Sequence, residues 1–442
     1  MLRHAGTAPL APAARSKGCR WFRAPAPFAV RNQGGDGIGV RERLAPARRA
    51  HAEGDTMTHL RGPAGRLARA LTIALLLAGA VTASGPAGAS VAACGSWTGA
   101  QPPSPSTMNN VLDSVVALTP CDAWAVGYDT GSSGLNQTLT EHWDGSAWTV
   151  VPSPDVAGLG NVLNGVRAVS AADVWAVGAS AAPGVEQTLI LHWDGHTWQQ
   201  VTSPNPGTRA GLGAVRTVSA TDAWAVGSFS NGNAGQPLIL HWDGQKWAQV
   251  TSPHPGTGGA LSGVAATSAS NAWAAGTYFN GTAEQGFILH WNGQKWATQT
   301  IPNPGGTAHD TSLNAVAANG AGGKAWAVGF YTNGTSDKTL ILAWTGTKWA
   351  QQPSPTPGNG AFLDGAATTA AGNAWAVGSS NNGTTSVVLH WNGTTWAQEA
   401  SPNPGPETGL FAVAASSASN AWAVGRFVNG SDLDQNLAIH CC

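Results

Sequence analysis

The chain has 442 residues, with 22 basic and 23 acidic side chains, and only 10% of it is charged. It also carries 58 Gly, 27 Pro and 21 Trp. So few charges, against roughly 25% in a typical soluble protein, with so much Gly, Pro and Trp, exclude a coiled coil, a helical bundle, a charge-rich disordered chain and a nucleic-acid binder held by basic patches. An all-β protein is expected.

Residues 1–56 differ from the rest. They hold ten of the 22 basic residues and show neither a period of two nor one of 3.6, so no fold is read into them. Met57 then begins a secretion signal: Arg61, Arg66 and Arg69 form a positive n-region, Ala70–Ala83 an apolar run of fourteen, and Ala87-Gly88-Ala89 a small-residue cleavage site. The run is too short for a confident membrane span. A signal 56 residues inside a chain would work poorly, so translation is expected to start at Met57. The expected organisation is a leader over 1–56, a signal peptide over 57–93 and one domain over 94–442. Val91–Cys94 also reads as a lipobox, which would lipidate Cys94 and leave a cell-surface lipoprotein. From Cys94 on, 9 basic and 19 acidic residues give a net charge of −10. That disfavours polyanions as partners.

The dominant signal in the domain is self-similarity at about 49 residues. The first Trp of each unit recurs at Trp124, Trp175, Trp224, Trp273, Trp326, Trp375 and Trp422. A second recurs at Trp143, Trp193, Trp242, Trp291, Trp344 and Trp391, and a third always follows it by five, from Trp148 to Trp396. Each unit divides into four short β-type runs, here named a to d. In the second unit they are Leu163–Ser170, Asp173–Ser180, Gln187–Trp193 and Thr197–Thr202. An Asp or Asn between a and b suits an Asx-type turn. Asp-Gly between c and d is a hairpin signal, and Ser-Pro-Asn-Pro-Gly after d cannot continue a ladder. Four strands and a crossover, seven times over, predict a seven-bladed β-propeller.

The two ends fit such a ring. Trp97 to Trp124 is 27 residues, the step from a third Trp to the next first one, and residues 410–440 carry a unit that stops where its second Trp should stand. The N-terminal fragment should therefore supply strand d of the last blade and leave no open edge. A closed ring of this kind is expected to be a monomer with no transmembrane helix. Strand a is small, as a crowded centre requires, and the Trp residues are expected to fill the gaps between blades further out. Cys94, Cys121, Cys441 and Cys442 are the cysteines after the signal. Aligned to the repeat, Cys94 meets Cys441 or Cys442 at one hairpin, so a disulfide from Cys94 to Cys442, or to Cys441, is expected to latch the ring, with Cys121 taking the remaining partner.

Candidate chemistry is sparse, and nothing in the sequence asks for a cofactor. His142, His192, His241, His290, His390 and His440 share one repeat position, so they lie on a circle and cannot converge on one metal ion. Arg167 and Arg216 are matching repeat positions and read as local packing or surface charges. No nucleophile elbow, zinc-protease motif or phosphate loop is present. Asp113 and Asp364 both begin strand a and could face the channel mouth, as a glycosidase carboxylate pair would require. The face with the b–c and d–a loops is the better binding candidate. Tyr128, Tyr278, Tyr331 and Arg426 sit there beside varied strand-a starts, Asp113, Asn164, Asn314 and Asp364, and such a mixture suits a glycan or a protein. These eight are the candidate ligand-binding residues.

The W-A-V-G … H-W-[D/N]-G-x-x-W repeat resembles that of secreted bacterial β-propellers from actinobacterial-type genomes, over residues 94–442. It is more loosely similar to kelch and Asp-box propellers, without the kelch Gly-Gly doublet and with only half of the Asp-box. The resemblance implies an exported, kelch-like binding or interaction module. A carbohydrate-active hydrolase or lyase and a structural cell-surface protein are the alternatives.

Overall fold

The computed structural model describes residues 96–442 except 233, 321 and 322, so the expected leader and signal peptide lie outside the described residues. Twenty-eight strands form seven antiparallel groups of four. Two of these groups are joined by a single parallel pair, Arg209 with Glu186. The innermost strands are Asn110–Thr119, Gly160–Ser170, Arg209–Ser219, Gly258–Ser268, Thr311–Ala318, Ala361–Ala370 and Thr408–Ser417. Each touches the next and the last touches the first, so they close a ring. The seven-bladed expectation matches this arrangement.

The termini share one blade. Trp97–Ala100 pairs with Asp434–Cys441 in the register Trp97↔Cys441, Thr98↔His440, Gly99↔Ile439 and Ala100↔Ala438. The entering segment is fixed further along: Asn436 Nδ2 donates to Pro103 O at 2.6 Å, and its N–H donates to Ser104 Oγ at 3.1 Å.

The core consists of seven clusters, each lying in a seam between neighbouring blades. A strand presents alternate residues to opposite faces, so Leu189 and Leu191 pack toward Trp124 of the preceding blade while Ile190 packs toward the following one. Each full seam joins the first Trp of one blade to the second and third of the next. Trp124 lies 4.9 Å from Trp193 and 5.3 Å, edge-on, from Trp198. The closing seam repeats this, with Trp422 at 4.9 Å from Trp143 and 5.0 Å from Trp148. In the last blade Cys441 replaces the second Trp and packs with Trp97 against Trp375.

The Gly of W-A-V-G has a steric cause. Each inner strand carries a β-bulge after its Leu, for example at Leu112/Ser114, Leu163/Gly165 and Leu363/Gly365. The bulge drives a backbone carbonyl against the facing strand. A Cβ at Gly127 would lie 1.9 Å from Val111 O, and one at Gly227 would lie 2.0 Å from Gly211 O. Only Gly fits there. Elsewhere the turn chemistry agrees with the sequence: Gly145, Gly195 and Gly244 of the c–d hairpins have φ of 93°, 93° and 89°.

The structure revises three local expectations. Inner strands begin earlier than expected, at Gly160 rather than Leu163 in the second blade, because the ladder continues past the bulge. Asp113 and Asp364 are consequently inside their strands, at the bulge, and not at the start. Finally, the a–b turn Asp does not mainly serve its turn. Asp122, Asp173 and Asp222 bind Nε2 of His142, His192 and His241 at 2.8–2.9 Å, and those rings lie against Trp124, Trp175 and Trp224. The His series thus ties turn and strand to the first Trp in six of the seven blades, with Asn271, Asn373 and Asn420 replacing Asp in later ones and Ala343 standing in place of His in the fifth.

Candidate functional site

The bulges place one residue per blade at the same level of the innermost ring. In ring order these are Asp113, Asn164, Gly213, Ser262, Asn314, Asp364 and Phe411. A bulge re-aims its side chain out of the regular alternation, and here the side chains reach along the ring. Asn164 Nδ2 donates to Leu212 O of the next blade at 2.8 Å. Asn314 Nδ2 donates to Leu363 O at 2.9 Å and to Asp364 Oδ1 at 3.1 Å, while its own Oδ1 accepts from Ser312 Oγ at 2.8 Å. The result is a half-buried polar collar in which Asn314 and Asp364 are in direct contact.

The rim residues divide into two sets. Tyr128 and Arg426 stand four residues after the first Trp of their blades, whereas Tyr278 and Tyr331 stand five after theirs. Strand alternation sends the two sets to opposite blade faces. Tyr278 packs edge-on against Phe287 at 5.9 Å, and Tyr331 packs onto the cluster around Leu313 and Leu340. Arg426 ion-pairs with Asp434 and, at 3.7 Å, with Glu407. On the same rim, burial first and the charge of Asp155 second push the Asp129 carboxyl up to about 6.

Of the two C-terminal cysteines expected as the latch, Cys441 is the bonded one. Cys441 and Cys121 are both disulfide-bonded, whereas Cys442 is a free, exposed thiol. Cys441 is fully buried on a paired strand, and Cys442 lies just past the strand's end. Cys94, the expected partner, lies outside the described residues.

A feature of the channel was misjudged from sequence. Three residues beyond each bulge, about 10 Å along a strand, the seven equivalent positions are Val116, Arg167, Arg216, Ala265, Ala317, Ala367 and Ala414. All seven line a central cavity of about 300 Å³. Arg167 and Arg216 are neighbours in the ring. Burial, with Arg216 adding like charge, pulls Arg167 down to about 9, and burial also lowers Arg216. Both remain cationic at neutral pH. The other two arginines of the domain have carboxylate partners: Arg209 meets Glu186 at 3.6 Å, and Arg426 has two. The legible signal was position: Arg167 and Arg216 share one innermost-strand repeat position where every other counterpart is Val or Ala. Among the described residues no group of three or more His, Cys, Asp or Glu is placed to hold a metal ion. Nor is any helix there long and apolar enough to cross a membrane.

Solved structures share the fold. The chain is similar to YCF48 bound to a D1 peptide, with a TM-score of 0.51 and 15% identity over 78% of this chain and 97% of that one. It is also similar to the GH74 xyloglucanase of Xanthomonas campestris, with a TM-score of 0.48 and 15% identity over 78% of this chain and 55% of that one. A PL25 ulvan lyase gives a TM-score of 0.47 and 9% identity over 78% and 94%. All are β-propellers, and at these identities the likeness is one of fold alone. No family model matches the chain, and a search of curated proteins finds no match either.

Proposed function

We propose that the chain is an exported binding propeller that holds a glycan at the collar of its central channel. The observation that carries this reading is the contrast within one repeat. The Trp seams, the bulges and their facing Gly recur blade after blade, while the residue at the bulge changes among Asp, Asn, Ser, Gly and Phe. Packing explains what recurs. Recognition explains a varied set of carboxylates and amides at one level of the ring, groups that pair with sugar hydroxyls.

A glycan array probed with the secreted protein tests this. Binding that is retained in Tyr278→Phe but lost in Asp113→Asn, Asp364→Asn and Asn314→Ala supports it. Equal binding by all variants, or no glycan bound, rejects it in favour of a protein ligand or a structural surface role. Turnover of a bound glycan that disappears in Asp113→Asn or Asp364→Asn would make the propeller a carbohydrate-active hydrolase or lyase. Export through residues 57–93 predicts that the N-terminus of the secreted product falls between Ser90 and Cys94. A lipid mass on Cys94 would instead place the protein on the cell surface.

A further inference from the structure

We infer that Arg167 and Arg216 form an oxyanion-binding site inside the channel, one that takes the carboxylate or phosphate group of a small ligand. The inference stands on placement and does not depend on the collar reading. Two guanidinium groups occupy neighbouring positions on the innermost strands of adjacent blades, and both line the same cavity. Each lacks a carboxylate partner among the described residues, and Arg216 Nε is buried with no acceptor at all.

Unligated, this arrangement is costly in three ways. Two like charges sit side by side, burial weakens their hydration, and a buried donor goes unmet. Packing does not require it, because the five counterpart positions are filled by Val116, Ala265, Ala317, Ala367 and Ala414, which leave the channel open. These small side chains supply no negative charge, and the other polar side chains of the lining are the neutral Thr217 and Thr368, so the two guanidinium groups are the charged groups an entering oxyanion would meet. Arginine's planar fork suits two-point contact with carboxylate or phosphate. The cavity, about 300 Å³, is at the lower end of small-ligand pockets and suits a molecule of monosaccharide size. The net negative charge of the domain does not oppose this, since the local field in the channel is set by the two cations closest to it.

The test is isothermal titration and thermal unfolding of the secreted protein with inorganic phosphate, galacturonate and galactose, in chloride buffers of matched ionic strength. The site predicts saturable binding of phosphate or galacturonate with a rise in Tm, and at least about tenfold weaker binding of that anion in Arg167→Gln and in Arg216→Gln. It also predicts that both variants, measured in chloride alone, are at least as stable as the parent, because one of two facing like charges is gone. Arg216→Lys covers the case in which a Gln variant fails to fold: it keeps the charge and loses the fork, and it should also bind at least about tenfold more weakly. The proposal is overturned if neither oxyanion shifts Tm beyond the chloride control, or if the variants bind as the parent does. It is equally overturned if the Gln variants are less stable in chloride, which would mark the pair as a packing element. Binding of galactose that survives in both variants would leave the collar reading intact while this one fails.

Discussion

At the residue scale, the closing seam carries two titrating groups, Glu141, which the repeat does not require, and His440, which belongs to the repeated His series. Glu141 stands where its counterparts are Leu191, Leu240, Leu289, Leu342, Leu389 and Ile439, and it is fully buried. Its Oε1 accepts from Asn436 Nδ2 of the last blade at 3.0 Å, while Glu141 Oε2 and Asn436 Oδ1 have no partner. A protonated acid would satisfy both, and burial holds the Glu141 carboxyl up at about 8. The native state thus keeps a proton that the unfolded chain releases above about 4.5. Stability from this group is full below pH 4.5 and is lost as pH rises to about 8, with each unit in that window worth roughly 1.4 kcal/mol. Urea unfolding of Glu141→Gln should show a flatter alkaline limb and a higher midpoint than the parent at pH 8; equal midpoints would contradict it. His440, stacked on Trp422 at 4.0 Å, acts in the opposite sense. Burial lowers it to about 4, so the native state refuses a proton that the unfolded chain takes up below about 6.5. Acid from pH 6.5 toward 4 should therefore destabilise the parent more than His440→Asn. Cys442 gives a simpler check: alkylation of native, unreduced protein should label Cys442 and neither Cys121 nor Cys441.

At the scale of the strand, the decisive device is the bulge with its facing Gly. The sequence shows an invariant Gly three residues after the first Trp, but not why it is there, because a bulge is a register event between two strands and leaves no residue signature on the bulged one. This is also why Asp113 and Asp364 are misplaced by sequence reasoning. Gly227→Ala would force a Cβ onto a carbonyl 2.0 Å away. It should cost at the upper end of the roughly 1–3 kcal/mol of overpacking, read as a lower urea midpoint. Gly99→Ala, where a Cβ meets nothing within 4 Å, should leave the midpoint unchanged or raised. Equal effects at the two positions would show that the close approach is not what demands Gly.

For the whole molecule, the architecture was legible because one unit is written repeatedly and each copy checks the others. Period, strand order, hairpin turns and the join of Trp97 with the last blade all follow from that redundancy. The site was less legible for the same reason, since function lies where the copies differ, and a difference carries no internal check. Arg167 and Arg216 match each other and so resembled packing, until their common place on the innermost strand put them in the channel. Closure itself has a direct consequence. Removing residues up to Ala100 would strip the outer strand from the last blade and expose Asp434–Cys441 as an edge. The truncated chain should associate or aggregate in light scattering relative to the full domain, and a peptide of residues 96–107 added in trans should reverse this; an unchanged scattering mass per chain and an unchanged Tm would contradict closure by that strand.

The account as a whole rests on the central channel being where this scaffold meets its ligand. The most direct measurement is a crystal structure of the purified domain, residues 94–442, soaked in galacturonate. The account predicts density inside the ring, its carboxylate between Arg167 and Arg216 or its hydroxyls on Asp113, Asn314 and Asp364. Density confined to the outer rim around Tyr278 and Tyr331, with the channel holding solvent alone, would contradict it.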